Sequence, residues 1–340
     1  MTKDTATIKD VAREAGVAIG TVARFLKGQP IRQGNRAPIE DAIEKLNYRP
    51  NQLAAAMKTK KTNAIGVLMP SLGAFHAKLL EQLTEDLHSV GIAVISYFHD
   101  QNPKSVVEGL ELLHSRRVDA VVMDGIHTLE REISGYAASG LPIVFYDNNM
   151  PDIAADRVMV DNAGAAARLT DHLLDMGHRR IAMIHGPTAE TVGRDRLQGV
   201  RDAMMARAVA LPSEYVVAGD WSRASGIAGV SYLRDLPEPP TAIISANYTM
   251  TEGILRWMRE SGLRVGRDLS LASFDDSPVF ELHEPGITCA AQPVDEIASA
   301  IASLLAKRLQ SPKSAPGRTV RLACRITLRG SVLPVSNQTE

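Results

Sequence analysis

A chain of 340 residues, 45% hydrophobic and 23% charged, has the composition of a globular protein with room for two or three cores. No apolar run reaches membrane-spanning length and the opening MTKDTATIKD lacks an apolar signal core, so a cytoplasmic protein with no membrane partner is expected. The net charge of −1 hides an asymmetry: residues 1–61 carry twelve Lys/Arg against six Asp/Glu, and the remainder 26 against 33, which suits a polyanion-binding head on an acidic body.

In chain order, Thr7 is a candidate N-cap for a helix Ile8–Ala15, with Asp10 placed to complete a capping box. Gly16 stops that helix, and a second one, Ala18–Lys27, follows at once and ends at Gly28. Two short helices about a glycine turn form a helix-turn-helix pattern, with Ile8, Val11, Ala12, Ala15, Val17, Val22 and Leu26 as its core. A third helix is expected over Pro38–Leu46. Pro50 then blocks helix continuation, and Asn51 can cap a short helix Leu53-Ala54-Ala55-Ala56-Met57 that ends in Lys58, Lys60 and Lys61. Two turns of Ala-rich helix are too short to stand alone in water, so this segment should form only against a partner. An ordinary solvated linker is the plainer reading of the same residues.

From Asn63 onward short β-rich runs alternate with helical ones, the rhythm of parallel sheets covered on both faces. The first round comprises strands at 64–69, 92–97, 120–123 and 143–145. The rhythm restarts after 158–161, with strands at 181–184, 216–218, 242–245 and 269–274. A last helix at 294–309 and two strands near 319–322 and 325–328 remain. Cys289 and Cys324 lie outside any CxxC spacing, and no two histidines stand at zinc-site spacing with a carboxylate, so no cofactor or metal is expected.

Several phrases of the chain resemble one known family. Thr7-Ile8-Lys9-Asp10-Val11-Ala12, Ala15-Gly16-Val17, Thr21-Val22, Arg24 and Tyr48-Arg49-Pro50-Asn51 are similar to the headpiece and hinge of the lactose-repressor (LacI/GalR) family. Val160-Asp161-Asn162, Gly177-His178-Arg179-Arg180-Ile181-Ala182 and Glu260-Ser261-Gly262-Leu263-Arg264-Val265-Gly266 extend the resemblance over almost all of residues 7–330. The resemblance implies an all-α helix-turn-helix headpiece, a hinge helix, and an α/β body of two doubly wound parallel-sheet lobes of the periplasmic-binding-protein type. The corresponding divisions are 1–47 for the head, 48–62 for the hinge, 63–160 with 291–320 for the first lobe, and 161–290 with 321–334 for the second.

It also implies partners and contacts. In that family the second helix enters the major groove of operator DNA, and the paired hinge helices of a dimer wedge the minor groove. The DNA contacts carried over are Thr7, Ile19, Gly20, Thr21, Arg24, Asn51, Ala54, Met57 and Lys58, with Met57 as the apolar wedge. This head departs from the pattern at Ala18, Gly20 and Ala23, where the family has serines or a base-reading side chain. Ile19, Thr21 and Arg24 are left to read bases. The C-terminal residues 330–340 contain no leucine heptad, so a homodimer is expected rather than a tetramer.

Ligands of open α/β folds bind at the carboxyl ends of strands, and with two lobes the cleft lies between them. The residues just past the strands are Ser71, Leu72, Phe75, Asp147, Arg194, Trp221, Asn247, Asp275 and Gln292, of which all but Leu72 are taken as effector contacts. Carboxylates, amides and a guanidinium can grip adjacent hydroxyls while Trp221 offers an apolar face, which favours a small neutral sugar or polyol. Release from DNA on ligand binding is the expected sign. A purine corepressor, with the opposite sign, and a non-regulatory sugar-binding protein are the alternatives. An enzyme is disfavoured because no GxGxxG, P-loop or GxSxG motif appears.

Overall fold

The computed structural model describes residues 6–26, 28–49, 61–100, 102–310 and 317–335. The chain divides into two units, Met1–Thr62 and Asn63–Glu340.

The described residues of the first unit hold three α-helices, α1 (Ile8–Glu14), α2 (Ile19–Leu26) and α3 (Arg36–Lys45). The backbone N–H and hydroxyl of Thr7 both donate to Asp10 Oδ2, at 3.0 and 2.7 Å, which fixes the start of α1. The same bonds hold the Asp10 carboxyl below its ordinary range. Gly16 turns the chain at φ +64°, a conformation that costs side chains other than glycine. Val11, Ala12 and Val22 are buried as expected, and Ile39, Ala42 and Tyr48 complete the core by bringing α3 and the following turn onto α1 and α2. α3 starts two residues ahead of Pro38, so the missing proline N–H falls in the first turn, where no intrahelical partner exists anyway.

The second unit contains two six-stranded sheets. The strands of the first are β1 (Ala64–Met69), β2 (Ala93–Phe98), β3 (Ala120–Asp124), β4 (Ile143–Tyr146), β5 (Asp156–Val160) and, far along the chain, Thr319–Leu322. The second has β6 (Ile181–His185), β7 (Val216–Ala218), β8 (Ala242–Ser245), β9 (Ser270–Phe274) and β10 (Thr288–Ala291), with Arg325–Thr327 at its edge. Thr319–Leu322 is thus β11 and Arg325–Thr327 is β12. The orders are β11-β5-β4-β3-β1-β2 and β12-β10-β9-β8-β6-β7, and among the described strands only the β10–β12 pairing is antiparallel.

β1, β4, β6, β8 and β9 are buried along their whole length, which is why β1 and β4, and β6 and β8 up to their last residues, read as continuous apolar runs rather than alternating ones. The helix Val294–Gln310 returns to the first lobe, where its Ser299 donates to Asp86 and its Asp295 pairs with Lys78, both on the helix Ala74–Ser89. The chain therefore passes between lobes three times, after β5, after β10 and between β11 and β12. Ala291 still pairs within the second sheet and β11 runs on to Leu322, so the two return crossings fall one and two residues later than the expected 290 and 320.

Two buried polar networks brace the start of β5 within the first lobe. Asp156 receives a bidentate grip from Arg308, at 2.8–2.9 Å through Nη2, and a backbone N–H from Arg318. Arg157 donates to Asn149 Oδ1 and to the carbonyls of Met150 and Ala155, so the loop that follows β4 is tied down from inside. The segment Asp156–Arg157 reads as loop by composition; burial with full pairing makes it the start of a strand.

Candidate functional site

The strands of both sheets end on the same cleft. Ser71 follows β1, Asp124 closes β3, Asp147 and Asn148 follow β4, Glu190 lies beyond β6, and Trp221, Asn247, Asp275 and Gln292 follow β7, β8, β9 and β10. Together with Phe75, His76, Arg196 and Tyr248 they line a cavity of about 140 Å³. Asp147, Trp221 and Asp275 all adopt left-handed backbone, at φ +61°, +68° and +63°. Such residues persist only where the surroundings hold them, and three of them at the ends of three strands mark the cleft as a functional site.

Arg196 is the centre of the second-lobe side. It is 2% exposed, donates from Nε to Asn162 Oδ1 at 2.8 Å and from Nη1 to the Ala246 carbonyl at 2.6 Å, and lies 4.0 Å over the Phe274 ring. Its Nη2 stands 3.8 Å from Asp275 Oδ1, which also accepts from Gln292 Nε2 at 2.7 Å. Trp221 donates its indole N–H to Glu190 Oε2 at 2.8 Å. Gly186 lies beneath that ring, where a Cβ would come within 2.1 Å of it, so the tryptophan seat requires glycine. Asn247 caps the helix Tyr248–Glu260 by accepting from Met250 N–H and donates to the Trp221 carbonyl, so both ends of its amide are engaged.

The first-lobe side is aromatic and acidic. Phe75, His76 and Tyr146 meet edge-on or tilted, with centroids 5.1–6.5 Å apart. Burial pushes the Asp147 carboxyl up to about 7; Arg196 opposes the shift, and Asp275, Asp124 and Glu190 add to it. Burial also raises Glu190 and lowers His76, in the latter case against the pull of Asp124 and Asp275. Asp124 Oδ1, Asp147 Oδ1, Gln292 Oε1 and Tyr146 Oη are buried, and none has a hydrogen-bond partner among the described residues. Buried oxygens in a cleft are seldom left unbonded in a working protein, so those of Asp124, Asp147 and Gln292, which line the cavity, are the atoms placed to receive a ligand's donors.

Ser71, Phe75, Asp147, Trp221, Asn247, Asp275 and Gln292 are thus brought together by the fold. Arg194 is not: its side chain is 54% exposed and turns to its neighbour Asp195. The helix Thr191–Ala206 explains the correction, because Val192, Arg196 and Val200 share its buried stripe at spacing i, i+4, whereas Arg194 faces away. That spacing is already present in the sequence. Leu72 is 57% exposed and lines no part of the cavity. Asp276 is held off the cleft by a bidentate bond from Arg329, which leaves Asp275 alone pointing in. Asp124, Glu190 and His76 give no sequence signal beyond lying near strand ends.

In the head, α2 presents Ile19, 46% exposed, with Gly20 and Arg24 also exposed, Thr21 half-buried and Val22 fully buried beneath them. A Cβ added to Gly20 would meet nothing, so nothing inside the head demands glycine at this helical position. The Thr7 hydroxyl is already spent on Asp10. Asn51, Ala54, Met57 and Lys58 lie outside the described residues.

Comparison with known proteins identifies the family of both units. Residues 7–51 match the lacI family of bacterial regulatory proteins, and residues 170–332 match the periplasmic-binding-protein-like domain. The ribose operon repressor of Escherichia coli (strain K12) is 30% identical over 311 residues, covering 90% of this chain and 94% of that protein. Catabolite control protein A of Priestia megaterium is 29% identical over 328 residues, 96% of this chain and 98% of its own. Among solved structures, the lac repressor dimer bound to operator and the anti-inducer ONPF superposes with a TM-score of 0.83 at 24% identity, over 97% of this chain and all of that one. A CelR–cellobiose complex superposes at 0.72 with 28% identity, over 96% and 99%. The chain belongs to the LacI family: it is a DNA-binding transcriptional repressor with a periplasmic-binding-protein-like body, and its relatives are regulators, not enzymes.

Proposed function

We propose that this repressor is released from its operator by a sugar or polyol of about monosaccharide size held between the two lobes. The observation that carries this reading is the set of unpartnered, buried acceptor oxygens on Asp124, Asp147 and Gln292, facing a cavity with the flat ring of Trp221 on its wall. Adjacent hydroxyls supply donors to such oxygens, and ring C–H groups suit the indole face. A volume of about 140 Å³ is small beside the ~300–1,000 Å³ of clefts that take drug-sized ligands. The relatives named for ribose and cellobiose are consistent with it. A purine would need donor groups and stacking partners on both faces, and the described aromatics of the first lobe meet one another edge-on. A thermal-shift screen of pentoses, hexoses, disaccharides and purine bases tests the reading: stabilisation by a monosaccharide supports it, and stabilisation by purines alone refutes it.

The protein works as a cytoplasmic homodimer on a roughly palindromic site, with Ile19, Thr21 and Arg24 reading bases and Met57 in the hinge wedging the minor groove. Arg24→Ala should lower affinity for the best operator by about 1–3 kcal/mol and relax preference at one base pair. Equal loss on operator and random DNA, measured by competition binding, would make Arg24 a phosphate contact instead. Ligand closure around Asp275 changes the spacing of the two hinges in the dimer and so opposes DNA binding. Asp275→Ala should leave operator affinity intact and remove the response to ligand, a permanently repressing variant; an unaltered response in an operator titration would take Asp275 out of the effector site.

A further inference from the structure

The charges lining the cleft do not balance. Asp124, Asp147, Glu190 and Asp275 face it, and Arg196 is the one arginine or lysine among the lining residues. Arg196 is committed to the Asp275 side, 3.8 Å from that carboxylate. Glu190 accepts from Trp221, a neutral donor. Asp124 Oδ1 and Asp147 Oδ1 are buried and accept no hydrogen bond among the described residues. His99 Nε2 stands 3.6 Å from Asp124 Oδ1, and His76, His127 and Tyr146 are the other titratable groups around this corner. A neutral ligand would close the cleft over three carboxylates with no counter-charge of its own, an expensive arrangement in a site shut off from water.

We infer that the ligand is an aminodeoxy sugar whose protonated amine sits between Asp124 Oδ1 and Asp147 Oδ1, with Glu190 adding to the negative field. The inference rests on the sugar-cleft reading above and replaces the neutral ligand expected from the sequence, because Asp124 and Glu190 enter the site only through the fold. An ammonium offers three donors and a full charge to a corner that holds buried acceptors, and charge-assisted bonds are about twice as strong as neutral ones. The shift of Asp147 toward neutrality in the empty cleft fits the same deficit of positive charge.

Calorimetric titration of the full-length protein tests it, using glucose and galactose, their aminodeoxy derivatives with the amine at each carbon in turn, and the N-acetyl form of each amine. One amine should bind at least about tenfold tighter than both its parent sugar and its N-acetyl form. Asp124→Asn keeps the size of the side chain and removes its charge, and should cut the affinity for that amine about tenfold; thermal unfolding of the variant confirms that it is folded. A parent sugar that binds as tightly as its amines overturns the ammonium subsite while leaving the sugar reading in place. Binding of none of these sugars overturns the inference, and it overturns the sugar reading as well if the thermal-shift screen of pentoses, hexoses and disaccharides is also blank. Equal affinity of the parent protein and Asp124→Asn for the amine removes Asp124 from the contact and the inference with it.

Discussion

Arg196→Ala should abolish ligand binding and destabilise the body by on the order of 3–5 kcal/mol, the largest effect of any single change in the cleft. The guanidinium is buried, bonded to Asn162 and the Ala246 carbonyl, stacked on Phe274 and close to Asp275. Removing it leaves two acceptors without donors and Asp275 without its counter-ion in the same cavity. Arg194→Ala, two residues away on the exposed face, should change stability by no more than about 0.5 kcal/mol and leave ligand affinity unchanged. Urea unfolding of the two variants separates them. Similar losses would show that Arg196 is not the anchor its bonds describe.

Asp147→Asn should act in the opposite direction, giving a more stable protein that no longer responds to ligand. The ordinary pKa of this carboxyl is 3.8, and burial raises it to about 7 in the folded protein. Between those values the folded state holds a proton that the unfolded state has lost, so stability falls as pH rises from about 4 to about 7 and levels off above. A tenfold change in proton affinity corresponds to about 1.4 kcal/mol; with relaxation and neighbouring charges, the expected gain for the asparagine variant above neutrality is about 1–3 kcal/mol. Below pH 4 the two proteins should differ little. Thermal unfolding across this range checks the sign: parallel profiles for the parent and Asp147→Asn would mean that Asp147 is not the buried ionisable group that opposes folding. A site residue that costs stability is what a ligand-binding carboxylate without a partner should be.

Most of the architecture is legible in the sequence because its strongest signals are local. Fully buried parallel strands such as β1 and β8 have no alternation to disguise them, and Gly16 and Gly28 punctuate the head. β10 escapes such a reading because Thr288-Cys289-Ala290-Ala291 is short and made of small residues, whose place in the sheet comes from β9 and β12. The first residues of β5 are hidden by their charges, which long-range partners such as Arg308 neutralise.

At the cleft, strand-end reasoning finds Asp147, Trp221, Asn247 and Asp275, which stand within three residues of the ends of β4, β7, β8 and β9. It fails at Arg196, where helical phase decides between two arginines, and at Glu190 and His76, which stand farther from strand ends. Asp124 stands directly beyond the strand expected at 120–123, so the same reasoning reaches its position, but nothing local marks it out as a site residue; its burial in the cleft comes from the fold. Nothing local to the sequence reveals that Asp276 is turned aside by Arg329, fifty-three residues on, while Asp275 faces the ligand.

The central claim is that filling the cleft weakens the grip of the head on DNA, and an operator titration tests it most directly. A high-affinity site is first selected from random DNA with the full-length protein, and its affinity is then measured with and without a saturating sugar or aminodeoxy sugar from the binding screens. A typical coupling of ~1–3 kcal/mol predicts a loss of operator affinity of about 5- to 150-fold, and by reciprocity the operator should weaken sugar binding by the same factor. Unchanged or tighter operator binding in the presence of the ligand would contradict the account.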